Sequence, residues 1–146
     1  MDKANPPESF GVFKPIDHTV MAFKSATDLN AAAATLAGCG FAEEALVTYA
    51  PQEMAQLARS ERQAASALAA FGYELELVDT HLALAESGCS FLVVHAPQEE
   101  QLAQVAEAAR LHRAVSAQHY GRFMIQDLID QTAPNAPRPD TPSPVR

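Results

Sequence analysis

The stretch C-S-F-L-V-V-H-A-P, residues 89–97, contains the longest strongly apolar run in the chain, at residues 91–94. Such a run favours a strand, and apolar residues fall on both of its faces. A strand with one face in water alternates apolar and polar residues, whereas a strand covered on both faces does not. We therefore expect a sheet whose second face is covered, either by a partner subunit or by the chain's own helices.

A first strand-helix-strand unit precedes this stretch. The strand H-T-V-M-A-F, His18–Phe23, is also apolar on both faces, and an alanine-rich helix follows it. Ser25 or Thr27 is placed to cap that helix, and Gly38 is suited to end it in a left-handed conformation. The strand A-L-V-T-Y-A, residues 45–50, completes the unit.

A second unit begins with the opening stretch itself. Pro97 and two glutamates follow, and both residue types suit the first turn of a helix. The strand A-V-S-A-Q-H-Y, residues 114–120, completes this unit. Between the two units the periodicity predicts a pair of helices, one ending at Gly72 and the other covering residues 74–86.

Two such units with right-handed crossovers predict an α+β fold, the ferredoxin-like sandwich of two split βαβ units, here with a helical-pair insertion between them. Its four strands would lie in the order 4-1-3-2, with the unit helices on one face. Residues 15–130 would form this domain. Residues 1–14 are expected to be a flexible arm, and residues 131–146 a disordered Pro-rich tail, because five prolines fall in the last fifteen positions. We favour a homodimer, in which the partner subunit covers the second face of the sheet.

Composition excludes several classes of protein. A formal net charge of -8 argues against nucleic-acid binding, which calls for a basic surface. No apolar stretch approaches the length of a membrane helix, and the N-terminus lacks the apolar region of a secretory signal. Two cysteines fit a reducing compartment. We therefore expect a cytoplasmic protein that binds neither nucleic acid nor membrane.

The histidines provide the candidate site residues, although none of the five lies in a metal-binding motif. His18 starts the first strand and His119 ends the last, so antiparallel neighbours would bring them to one edge of the sheet. Asp17, His18 and His119 form the candidate metal set, and His18, His119 and Tyr120 the candidate set for a small-molecule ligand. His95 is expected at the opposite end of the first strand, too far away to join them. The alternative is that these are surface histidines bonded to backbone carbonyls.

No catalytic motif is visible. The six glycines are dispersed, so neither a phosphate-binding loop nor a nucleophile elbow is present. We accordingly assign no catalytic residue and no cofactor.

Several segments resemble the bacterial general stress protein (heat-induced stress protein) family. These are V-M-A-F in the first strand, G-C-G-F before A-L-V-T-Y, H-L-A-L-A-E-S-G-C-S-F-L-V-V-H-A-P, and H-Y-G near the end. The likeness covers roughly residues 16–129. Many relatives carry a glycine-rich, membrane-like hairpin where this chain is polar and alanine-rich. The resemblance implies no established activity and no catalytic residues.

Three hypotheses of function follow, of which the third is a metal sensor that uses Asp17, His18 and His119. The first is a cytoplasmic, stress-associated or regulatory domain that acts through self-association and uses no catalytic motif. The alternative is a dimeric ferredoxin-like enzyme or small-ligand-binding protein that uses the open face of its sheet.

Overall fold

The computed structural model describes residues 8–9, 12–13, 16–67, 76–121 and 124–129. In chain order its strands and helices are β1 (Glu8–Ser9), β2 (Val12–Phe13), β3 (His18–Phe23), α1 (Ala26–Gly38), β4 (Leu46–Tyr49), α2 (Pro51–Ala67), α3 (Glu76–Glu86), β5 (Ser90–His95), α4 (Glu99–Leu111), β6 (Ser116–Tyr120) and β7 (Ile125–Asp127). A short 3-10 turn, Glu43–Ala45, leads into β4.

Five strands form one open antiparallel sheet in the order β4-β5-β3-β6-β7. Strand β3 pairs with β5 on one side and with β6 on the other. Strands β1 and β2 form a separate two-stranded pair, and β2 lies next to α2. The prediction of an α+β fold is confirmed, and none of the described helices combines the length and apolar content that crossing a bilayer needs.

Helices α1 and α4 cover one face of the sheet. Met21 and Phe23 of β3 and Leu92 of β5 are buried there against Leu36 of α1 and Val105 of α4. Alanines on the inner sides of both helices, including Ala32, Ala108 and Ala109, are buried in the same cluster. Because alanine is small, these helices can lie close to the sheet and to each other.

Helices α2 and α3 cover the second face, which explains why the strands are apolar on both sides. Val20 of β3 and Phe91 and Val93 of β5 are buried there with Met54 of α2 and Ala85 of α3. The chain's own helical insertion therefore buries this face within a single copy. The preference for a partner subunit as its cover was wrong, and the apolar strands give no argument for a homodimer.

The ends of α1 show one confirmed detail and one correction. Ser25 is the N-cap, and its hydroxyl accepts a hydrogen bond of 3.1 Å from the backbone N–H of Asp28. The helix does end at Gly38, but its C-cap is Cys39, with φ of -85°. The left-handed conformation falls at Gly40, with φ of 103°, so glycine is needed there and not at Gly38.

Gly121 makes the turn that returns the chain to the sheet as β7. Its N–H donates to the carbonyl of Met124 at 2.9 Å, and a Cβ atom at Gly121 would lie 2.9 Å from the same oxygen. A side chain would therefore force the turn open. Strand β7 forms the edge of the sheet beside β6.

Several predicted boundaries lie outside the described residues. These are the helix end at Gly72, the helix start at residue 74, the tail at 131–146, and all of the arm at 1–14 except β1 and β2.

His81 of α3 is buried in the layer between the helical pair and the sheet. It is 2% exposed, and its ring meets that of Phe91 edge-on at a centroid distance of 5.9 Å. Within the part of the chain that the structure describes, its Nε2 has no hydrogen-bond partner. Burial lowers the pKa of His81 from 6.5 to about 4, because the charged ring would lose its hydration.

We predict that His81 makes the free energy of unfolding depend on pH between 6.5 and 4. In this range the unfolded chain takes up a proton at His81 that the folded chain does not bind. The folded state is therefore destabilised as pH falls, by up to about 3 kcal/mol. Urea unfolding at pH 7.0, 5.5 and 4.5 measures this free energy, which should depend less steeply on pH in His81→Leu than in the wild type. His95→Leu, at an exposed position, is the control, and its free energy of unfolding should depend on pH more steeply than that of His81→Leu. Equal pH dependence for all three proteins would contradict the prediction.

Candidate functional site

His18 and His95 lie side by side at one end of the sheet. They are cross-strand partners on β3 and β5, with ring centroids 4.6 Å apart and ring planes inclined at 35°. The expectation that His95 lies at the opposite end of the first strand was wrong. Because β5 runs antiparallel to β3, the last residue of β5 stands beside the first residue of β3.

The two rings line an open cavity of about 390 Å³, which we call the histidine pocket. Its remaining walls are Ala42, Glu44 and Ala45, from the segment that contains the 3-10 turn before β4. Strand β4 is the outer neighbour of β5, so the sheet order brings this turn next to His95. The pocket therefore combines two imidazoles, one carboxylate and two small apolar side chains.

The backbone before β3 holds His18 in a defined orientation. Asp17 has a left-handed conformation, with φ of 67°. Its N–H donates to the carbonyl of Tyr120 at 2.7 Å, and its own carbonyl accepts from the N–H of Ala96 at 2.9 Å. Residue 17 thus ties the start of β3 to the ends of both neighbouring strands.

Hydrogen bonding also selects the tautomer of His18. Its Nδ1 lies 2.8 Å from the carbonyl oxygen of Ile16, which can only accept, so Nδ1 carries the proton. In the neutral ring Nε2 then keeps its lone pair. This is the arrangement found in histidines that bind metals or accept hydrogen bonds.

Burial is the largest cause that lowers the pKa of His18 below 6.5. The hydrogen bond to Ile16 and the charge of Asp17 raise this pKa, while the charge of His95 lowers it. The net direction is downward, so the ring of His18 is mainly neutral at pH 7.

The structure separates His119 from His18. Tyr120 is the cross-strand partner of His18, whereas His119 pairs with Thr19. Neighbours along a strand point to opposite faces, so Tyr120 shares the face of His18 and His119 lies on the other. There His119 Nδ1 lies 2.9 Å from the Thr19 hydroxyl, and burial lowers its pKa while Asp17 raises it.

The candidate sets from the sequence are therefore divided. Of the ligand set, His18 and Tyr120 lie on one face and His119 on the other. Asp17 acts electrostatically on both histidines of the metal set, but they do not meet on one side. In residues 16–67, 76–121 and the shorter described pieces, no three or more His, Cys, Asp or Glu residues are placed to hold a metal ion.

Sequence reasoning missed His95 and Glu44. The sequence did carry a signal for His95, because an antiparallel pairing of the first and third strands places it beside His18. It carried none for Glu44, whose position depends on the short 3-10 turn before β4.

No protein-family model matches the chain, and no curated protein or solved structure matches it either. The resemblance to the general stress protein family therefore stays a prediction. The chemistry of the histidine pocket has to be argued from its own residues.

We predict that Asp17→Asn lowers the pKa of both His18 and His119, because the carboxylate favours the protonated form of each ring. Asparagine accepts the left-handed conformation, so the backbone should be kept. Histidine ring signals followed by NMR through a pH titration measure both values. Asp28→Asn, in the first turn of α1 beyond the other end of β3, is the matched control. Unchanged values for both rings in Asp17→Asn would contradict the prediction.

Proposed function

We propose that this chain is a ligand-binding domain of ferredoxin-like type and that the histidine pocket holds a small ligand that is cationic or donates hydrogen bonds. The fold assignment is supported by the sheet order β4-β5-β3-β6, which corresponds to 2-3-1-4 for the four predicted strands. It is also supported by α1 and α4, which connect the parallel strands of each unit and pack together on one face.

The observation that carries this proposal is the pair of imidazoles at the pocket wall. His18 offers an unprotonated Nε2 at neutral pH, and His95 lies against it. Glu44 adds a carboxylate, and none of the described lining residues is lysine or arginine. The described wall is largely apolar, and its polar groups include acceptors but no lysine or arginine, so a cation or a hydrogen-bond donor would be favoured over an anion.

We expect ammonium probes to bind in the pocket and anions of similar size not to bind. Titration of labelled protein with ethanolamine or spermidine should shift the backbone amide NMR signals of His18, Glu44 and His95, whereas acetate and phosphate should not. Ala45→Phe would fill the pocket and abolish the shifts. Ala34→Phe, on the exposed side of α1, is the matched control.

The proposal fails if neither these amines nor any metal ion perturbs the pocket signals. It also fails if anions bind in preference to cations.

Self-association is a second candidate function, and the edge strand β7 favours it. All three of its residues are exposed, Ile125 by 36%, and the adjoining Met124 is 69% exposed. Among the described strands β7 pairs only with β6, so it is an edge strand of the sheet, and edge strands can pair with a second chain. A homodimer would then form through this edge. The stress-associated or regulatory role and the cytoplasmic location remain proposals based on the sequence.

Sedimentation velocity at tens of micromolar tests this second candidate. The wild type should sediment as a dimer, and Ile125→Lys should shift it to a monomer, because a charge at an edge strand opposes pairing. Leu111→Lys, which changes an exposed leucine at the end of α4, should leave the dimer intact. A wild type that is monomeric throughout this range would exclude self-association through β7.

A further inference from the structure

We propose that the ligand of the histidine pocket is a divalent first-row transition metal ion of the Zn²⁺ or Ni²⁺ type, bound by the imidazoles of His18 and His95. This inference rests on the proposed function of the pocket as a site for a small cationic ligand, and it names the class of that ligand. Glu44 also lines the pocket and contributes negative charge near the bound ion, but it does not converge with the two imidazoles as a third ligand.

The spacing of the two rings suits a shared ion. Zinc binds imidazole nitrogens at about 2.0–2.1 Å, and a tetrahedral angle then places two such nitrogens about 3.4 Å apart. Rings with centroids 4.6 Å apart and planes inclined at 35° are compatible with this separation. Rotation of the exposed His95 ring can therefore bring the two nitrogens to this separation, with His18 kept on the Ile16 carbonyl and no movement of the strands.

The backbone around the pair is already ordered. His18 and His95 are directly opposite each other in the β3–β5 ladder, and the neighbouring pair Thr19 and Val94 is fully buried. Two donors on paired strands are held at a fixed distance before any ion arrives. Binding then costs less ordering entropy than it would on a loop.

The neutral charge and the tautomer of His18 match those of a histidine that binds a metal. A histidine ligand must be neutral, and its second nitrogen usually donates to a carbonyl or carboxylate. Nδ1 of His18 donates to the Ile16 carbonyl, which leaves Nε2 as the donor atom for the metal. The nearby Asp17 charge also favours a cation at this end of the sheet.

The donor chemistry selects the class of ion. Imidazole nitrogen suits zinc, nickel, copper and cobalt, whereas calcium and magnesium prefer sites built of oxygen. Since no three donors converge among the described residues, the protein supplies the two imidazoles, and water completes the coordination. We therefore expect an open site that leaves positions for water or for a second ligand.

Isothermal titration of the chelator-treated, tag-free full chain with ZnCl₂ and NiCl₂ at pH 7.5 tests this assignment. We expect one ion per chain, and His95→Gln should weaken its binding by about tenfold or more. His18→Gln should have the same effect, and Glu44→Gln a smaller one. His112→Gln is the matched control, because His112 lies at the end of α4 with its Nε2 bonded to the Thr35 hydroxyl, and it should bind the ion as the wild type does.

Two further measurements keep the result interpretable. His95 is exposed, so His95→Gln should fold even if the buried His18→Gln does not, and circular dichroism checks both. Lowering the pH to 5.5 should weaken metal binding, because protons compete for the same nitrogens.

The metal assignment is overturned if neither ion binds, or if His95→Gln binds as tightly as the wild type. If the amine probes still shift the pocket signals in that case, the pocket remains a cation site and only the metal assignment falls. If the amines and the metals both leave the signals unchanged, the metal assignment and the proposed function are both contradicted.

Discussion

The antiparallel pairing of β3 with β5 is the constraint on which the rest of this structure depends. Both strands are apolar on both faces, so the ladder between them can lie only in the interior. Burial of Met21 and Leu92 requires a layer on one side, and burial of Val20 and Val93 requires a layer on the other. Helices α1 and α4 provide the first layer, and α2 and α3 the second.

The same ladder positions the histidine pocket. The register of this ladder places Val20 opposite Val93 in the interior. The same register sets His18 opposite His95, where the ladder reaches the end of the sheet. Polar side chains are tolerated there because the helical layers no longer cover them fully. The left-handed Asp17 then joins the start of β3 to β5 and β6, which holds His18 in place. Stability of the core and placement of the candidate site are therefore consequences of one set of backbone hydrogen bonds.

The sequence predicted the regular elements better than the contacts among polar residues. The first strand, the capped α1 and the strands of the second unit follow from local patterns of apolar residues, caps and glycines, and they are confirmed. The meeting of His18 with His119 did not occur, since a register shifted by one residue moves a side chain to the opposite face.

By itself the sequence determined an α+β chain whose strands need cover on both faces, because apolar residues at successive positions point to both faces of the sheet and must leave water. It also determined an acidic composition, with a formal net charge of -8. Only the tertiary structure decided that α2 and α3 cover the second face and that His18 meets His95 beside Glu44. These outcomes depend on sheet order and register between distant segments, and local patterns do not encode either of them.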